Sequence, residues 1–129
     1  MSVSVLIITH DQIGAALMDT VKDMLGVSPM HVDVIPVLRT HNPDELLKHA
    51  ERITDQNEQT LVLTDMYGST PSNIACRLHA HEKVRIVGGI NLPMLVRVLN
   101  YPRLSLDELV DKAISGGRDG VLTCKSELD

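Results

Sequence analysis

Four short apolar runs, each followed by a segment of helical period, restrict this chain more than any other feature of its sequence. Val3 to Ile8, Val32 to Leu38, Leu61 to Leu63 and Val84 to Val87 are short and rich in Val, Ile and Leu, as buried strands are. After the first run, Ile13, Leu17, Val21 and Met24 recur at helical spacing until Gly26 and Pro29 stop the pattern. Asn42 caps and Pro43 opens a second helix, with Leu46, Leu47, Ala50 and Ile53 as its buried stripe. A third begins at Pro71 with Thr70 as its cap and turns Ile74, Ala75 and Leu78 inward. Asn91 to Pro93 starts a fourth, carrying Leu95, Val96 and Leu99. Ser105 and Glu108 have capping-box spacing before a fifth, carrying Leu109, Val110, Ala113 and Ile114. Val121 and Leu122 leave one short last strand with Cys124, free to pair within its own chain or with a partner subunit. The order βαβαβαβααβ predicts a three-layer α/β/α fold, a mostly parallel central sheet flanked by helices through right-handed crossovers. Pro36 places the second strand at the sheet's edge.

The core of such a fold must be aliphatic, because the 129 residues hold two Tyr and neither Phe nor Trp. The same scarcity removes aromatic base-stacking platforms and aromatic cages as explanations of function. A net charge of −5 argues against a broad nucleic-acid or anionic-membrane surface. Cys76 and Cys124 have neither disulfide-framework nor metal-ligand spacing, and Cys76 reads as core, Cys124 as part of a packed strand or interface. No apolar run approaches the roughly 20 residues that cross a bilayer, and no signal peptide opens the chain, so a reducing cytoplasm is the expected setting. At this length a single domain over residues 1–129 is expected.

In an open parallel sheet, ligands gather beyond the carboxyl ends of the strands. Three polar segments fall there: His10, the stretch Asp65 to Asn73, and Gly88 to Pro93. A His10–Asp65 pair is therefore geometrically reasonable, the carboxylate holding one ring nitrogen and leaving the other for nucleophilic attack on a phosphoryl group or for base catalysis. A structurally satisfied histidine is the plain alternative. Ser69, Thr70 and the backbone N–H groups after Pro71 form a credible anion cradle, with a simple helix cap as the competing role for Thr70. Neither G-x-x-x-x-G-K-[ST] nor G-x-G-x-x-G is present, so nucleotide-binding readings lose their main support. His79 and His81 read as surface residues at a helix end rather than metal ligands, and no metal is expected. His41 reads as a loop residue and Arg39, near the active end, as an ordinary solvated charge, with use by a partner protein as the alternative.

Taken together, Thr9 with His10, the segment Asp65 to Asn73, and the segment Gly89 to Leu95 resemble the enzyme IIA component of the mannose/fructose/sorbose family of the sugar phosphotransferase system (PTS). The likeness covers nearly the whole chain. It implies that His10 is phosphorylated and Asp65 orients it, that Ser69, Thr70 and Ser72 supply the phosphate environment, and that Tyr67, Gly68, Pro71, Asn73 and Asn91 shape the site. It further implies phosphate received from the phosphocarrier protein HPr and passed to a histidine of a separate enzyme IIB, with no diffusible cofactor. Membrane association would be indirect, through a permease complex. The family's homodimer, with its terminal strand exchanged antiparallel onto the partner's sheet, suits the short segment ending at Cys124. A regulatory component whose phosphorylation controls a non-permease partner is the second reading. A small hydrolase using His10 and Asp65 is the third, weakened by the lack of a nucleophile motif or metal constellation.

Overall fold

The structure, a computed structural model, describes residues 2–80 and 82–125. Strands β1 (Val3–His10), β2 (Val32–Val37), β3 (Gln59–Thr64) and β4 (Val84–Val87) alternate with helices α1 (Ile13–Leu25), α2 (Pro43–Gln56) and α3 (Thr70–Cys76). A 3-10 turn, Arg77–Ala80, follows α3, and α4 (Leu92–Leu99) and α5 (Leu106–Asp119) follow β4. The sheet order is β2-β1-β3-β4 and every neighbouring pair is parallel. Period-two alternation along β1 divides the interior. Val3, Val5 and Ile7 join Leu61, Leu63 and Val87 beneath α1, α4 and α5, while Leu6 and Ile8 join Val62, Ile35 and Val84 beneath α2 and α3. Both clusters are wholly aliphatic or Met, and Tyr67 and Tyr101 are exposed. This is the expected α/β/α sandwich, with β2 at an edge.

Four details correct the sequence reading. Helix α1 buries Gly14, Met18 and Val21, leaving Ile13 and Met24 exposed. The cause is the closeness of α1 to β1: a Cβ at Gly14 would stand 2.7 Å from Ile7 Cγ2 and 2.9 Å from Thr9 Oγ1. Only the glycine face can lie that flat, and it overrides the more hydrophobic stripe. Helix α3 starts at Thr70 with Ser69 as its cap residue, so Thr70 is inside the first turn. Cys76 is exposed, because it lies on the face of α3 opposite the buried Ile74, Ala75 and Leu78. Residues 121–125 form no strand with the rest of the described chain, and Val121 and Leu122 are about three-quarters exposed, at 76% and 77%. Among the described residues β4 therefore has no strand on its outer edge.

Two stability predictions arise here. Gly14→Ala forces Ile7 and Thr9 aside and should lower the unfolding free energy by about 1–3 kcal/mol in urea titration. An unchanged midpoint would show that α1 relaxes away without cost. At the end of β3, Thr64 is fully buried and its hydroxyl has no hydrogen-bond partner among the described residues. Thr64→Val keeps the shape, removes the stranded hydroxyl and should raise stability by about 1 kcal/mol. A fall in the urea midpoint would reveal a hydrogen bond at that oxygen.

Candidate functional site

Register brings the chemistry together. Ile8 of β1 lies beside Thr64 of β3, so the two chains leave the sheet side by side and His10 meets Asp65. One carboxylate oxygen of Asp65, Oδ2, accepts the backbone N–H of His10 at 3.0 Å and lies 2.8 Å from its imidazole Nδ1. The other, Oδ1, accepts the Met66 N–H at 3.0 Å. Burial pushes the Asp65 carboxyl up, but the backbone N–H and imidazole of His10, the Met66 N–H and the attraction of the His10 charge together outweigh it. The net result holds Asp65 below the ordinary carboxylate range. An ionised Asp65 fixes the tautomer: Nδ1 carries the hydrogen and Nε2 keeps its lone pair. The His10 side chain is 45% exposed against 14% for Asp65, so the carboxylate is shielded while the ring stays accessible.

Backbone turns hold this pair in place. Asp11 takes a positive φ of 43°, a conformation that aspartate tolerates better than most residues, and donates its N–H to Val37 O at 3.0 Å. Thr9 Oγ1 accepts the Gly14 N–H at 2.8 Å, closing the turn between His10 and α1. On the Asp65 side, Gly89, at φ 80°, donates its N–H to Asp65 O at 3.1 Å, and Ile90 donates to Thr64 O at 2.9 Å. The loop after β4 thus braces the loop after β3.

The other expected site residues separate by role. Thr70 shares with His10 a cleft of about 570 Å³. Ser69 is adjacent, its hydroxyl donating to Met66 O, and Ser72 is buried, accepting the Gly68 N–H at 3.3 Å. Gly68 needs its φ of 86° for the turn, Pro71 occupies the first turn of α3, and Tyr67 and Asn73 are exposed. Asn91 stands apart from the His10 cleft. Its Oδ1 caps α4 through Met94 N–H and its Nδ2 donates to Gly117 O at 3.1 Å, tying α4 to α5. The opposite wall of the cleft was missed as site: Val37, Leu38, Arg39, His41 and Pro43, the segment that leaves β2. The signal available was its place beyond a strand's carboxyl end, just before the Asn42–Pro43 helix start. Among the described residues no three His, Cys, Asp or Glu side chains gather to hold a metal, and no helix is long and apolar enough to cross a membrane. His81, half of the His79–His81 pair, lies outside the described residues.

Fold and site define a class: a parallel α/β sandwich whose strand ends present an imidazole oriented by a carboxylate, with one ring nitrogen free to act as a nucleophile. Residues 4–114 match the family model described as PTS system fructose IIA component, and the chain belongs to that enzyme IIA family of phosphotransferases. A mannose-specific EIIAB component of Escherichia coli K12 is 31% identical over 133 residues, covering 98% of this chain and 41% of that protein. The chain thus spans well under half the length of that relative. A fructose-specific EIIA component of Bacillus subtilis is 24% identical over 98% of this chain and 90% of its own. The mannose/sorbose-specific IIA subunit from Enterococcus faecalis superposes with a TM-score of 0.88 at 22% identity, covering 98% of this chain and 97% of that one, a likeness of fold.

Proposed function

We propose that the protein is a phosphoryl relay: His10 accepts phosphate from phosphohistidine of HPr and delivers it to a histidine of an enzyme IIB serving sugar uptake. One observation carries this reading, the 2.8 Å contact between Asp65 Oδ2 and His10 Nδ1, which leaves Nε2 as the nucleophile in a half-exposed ring. In the first step the Nε2 lone pair attacks phosphorus, the P–N bond of the donor breaks, and its electron pair returns to the donor imidazole. The His10 ring becomes an N-phosphorylated imidazolium whose Nδ1–H remains bonded to the Asp65 carboxylate, so the positive charge forms beside a fixed negative one. Transfer to enzyme IIB is the same displacement with His10 as leaving group. Thr70 contributes a hydroxyl to the cleft, Ser69 and Ser72 maintain the loop around it, and exposed Met66 and Tyr67 offer apolar area for a docking protein.

Within this reading residues 1–129 act as one enzyme IIA unit in the cytoplasm, meeting the membrane only through a permease complex. A homodimer with exchanged terminal segments suits the open β4 edge and the exposed Val121 and Leu122. The test is a chase. Protein labelled through phosphoenolpyruvate, enzyme I and HPr should lose its phosphate to added enzyme IIB far faster than to water. Failure to label contradicts the relay. Labelling without transfer to any enzyme IIB, coupled to phosphate-dependent capture of a non-permease protein, favours the regulatory reading.

A further inference from the structure

The cleft beside His10 has one wall that the relay as described does not use. Leu38, Arg39, His41 and Pro43 face the same space as His10 and Thr70. This segment is closed by two reciprocal bonds: His41 donates its backbone N–H to Leu38 O at 3.1 Å, and Leu38 donates its N–H to His41 Nδ1 at 3.0 Å. Immediately after it, Asn42 Oδ1 caps α2 through Asp44 N–H at 2.9 Å, and Pro43 fixes the first helical position. The turn is thus tied at both ends, and Arg39 stands on it at a defined place on the cleft wall.

Charge makes this placement consequential. Asp65 is ionised beside His10, exposed Asp11 follows it in sequence, and a phosphoryl group adds about two further negative charges. Arg39 is the single Lys or Arg among the residues lining the cleft. Arg77, Arg85 and Arg97 are each paired with a carboxylate, whereas among the described residues no carboxylate forms an ion pair with Arg39. A guanidinium without a carboxylate partner, at the mouth of a site that must receive an anion, has its planar fork of donors available for phosphoryl oxygens.

We propose that Arg39 holds the phosphoryl group of His10, its guanidinium bonding the non-bridging oxygens during transfer and in the phosphorylated protein. This assignment rests on the relay reading of His10. Its chemistry is that of a charge clamp: no bond to Arg39 forms or breaks, and the donors strengthen as negative charge concentrates on the oxygens leaving one imidazole for another.

The test compares two donors, phospho-HPr and the small molecule phosphoramidate, on wild type, Arg39→Ala, Arg39→Lys and Arg52→Ala. Arg52 is an exposed residue in the body of α2 and controls for loss of one positive charge. Arg39→Ala should slow labelling of His10 on the order of 10- to 100-fold with both donors. Arg39→Lys should recover part of the rate, Arg52→Ala should stay within about twofold of wild type, and added guanidinium ion should partly rescue Arg39→Ala. Circular dichroism and thermal midpoints of the variants should match wild type, since Arg39 is exposed. A loss with phospho-HPr but none with phosphoramidate would overturn the proposal and make Arg39 a docking residue. Equal rates for Arg39→Ala and wild type with both donors would overturn it as well. Failure of wild type to label on His10 contradicts the relay itself, a separate result from either.

Discussion

His10→Gln should abolish acquisition of phosphate from phospho-HPr, lowering labelling by at least about a thousandfold, to the background of the assay. The substitution removes Nε2 of His10, the nitrogen that the Asp65 contact leaves for attack. It keeps a polar side chain that still reaches toward Asp65 Oδ2. Because the His10 side chain is nearly half exposed and the backbone N–H to Asp65 survives, the fold should persist, with a thermal midpoint within a few degrees of wild type. Labelled phosphate counted on folded protein, with circular dichroism on the same sample, separates lost chemistry from lost structure. Retained labelling would move the phosphoryl site to another residue and dissolve the role of Asp65 with it.

Asp65→Asn should cost less than removal of the nucleophile, yet still slow phosphoryl transfer by about 10² to 10⁴-fold. Asp65 Oδ2 accepts from both the backbone N–H and the Nδ1–H of His10. An amide in its place carries no charge to balance the phosphoimidazolium. If its NH₂ faces the ring, it donates to Nδ1 and shifts the hydrogen to Nε2, the nitrogen that must attack. The same residue sets an acid limit to stability. Since the folded-state pKa of Asp65 is depressed, its contribution is fully present above the ordinary carboxylate value and is lost as pH falls through the lower folded value. Wild type should therefore exceed Asp65→Asn in urea midpoint at neutral pH, and the gap should close on acidification below about pH 4. A gap that is constant with pH would mean the carboxylate makes no charge-dependent bond.

Where apolar runs are dense, the sequence revealed the architecture directly. Val3 to Ile8 and Leu61 to Leu63 became the two central strands, and the strand-end rule then placed His10 and Asp65 together across 55 residues of chain. Legibility failed where close packing or local hydrogen bonding decides the outcome. The buried face of α1 follows Gly14, whose value lies in the missing Cβ rather than in hydrophobicity. Cys76 faces solvent on the side of α3 away from Ile74, Ala75 and Leu78, and it was the usual burial of cysteine, not helical spacing, that suggested the core. Composition also did not show the loop and helix contacts that Ser72 and Asn91 make. Arg39 looked like an ordinary surface charge until the His41 turn placed it on the wall of the His10 cleft.

The most direct test of the account is the position of the phosphoryl group itself. The protein should be labelled with ¹⁵N in its histidine rings, phosphorylated through HPr and examined by ¹⁵N and ³¹P NMR at mildly alkaline pH, where phosphohistidine persists. Bonding of Asp65 to Nδ1 predicts a single phosphohistidine, at His10, with phosphorus on Nε2 and a hydrogen retained on Nδ1. Phosphorus on Nδ1 of His10, or on any of the other five histidines, would contradict the account at its centre.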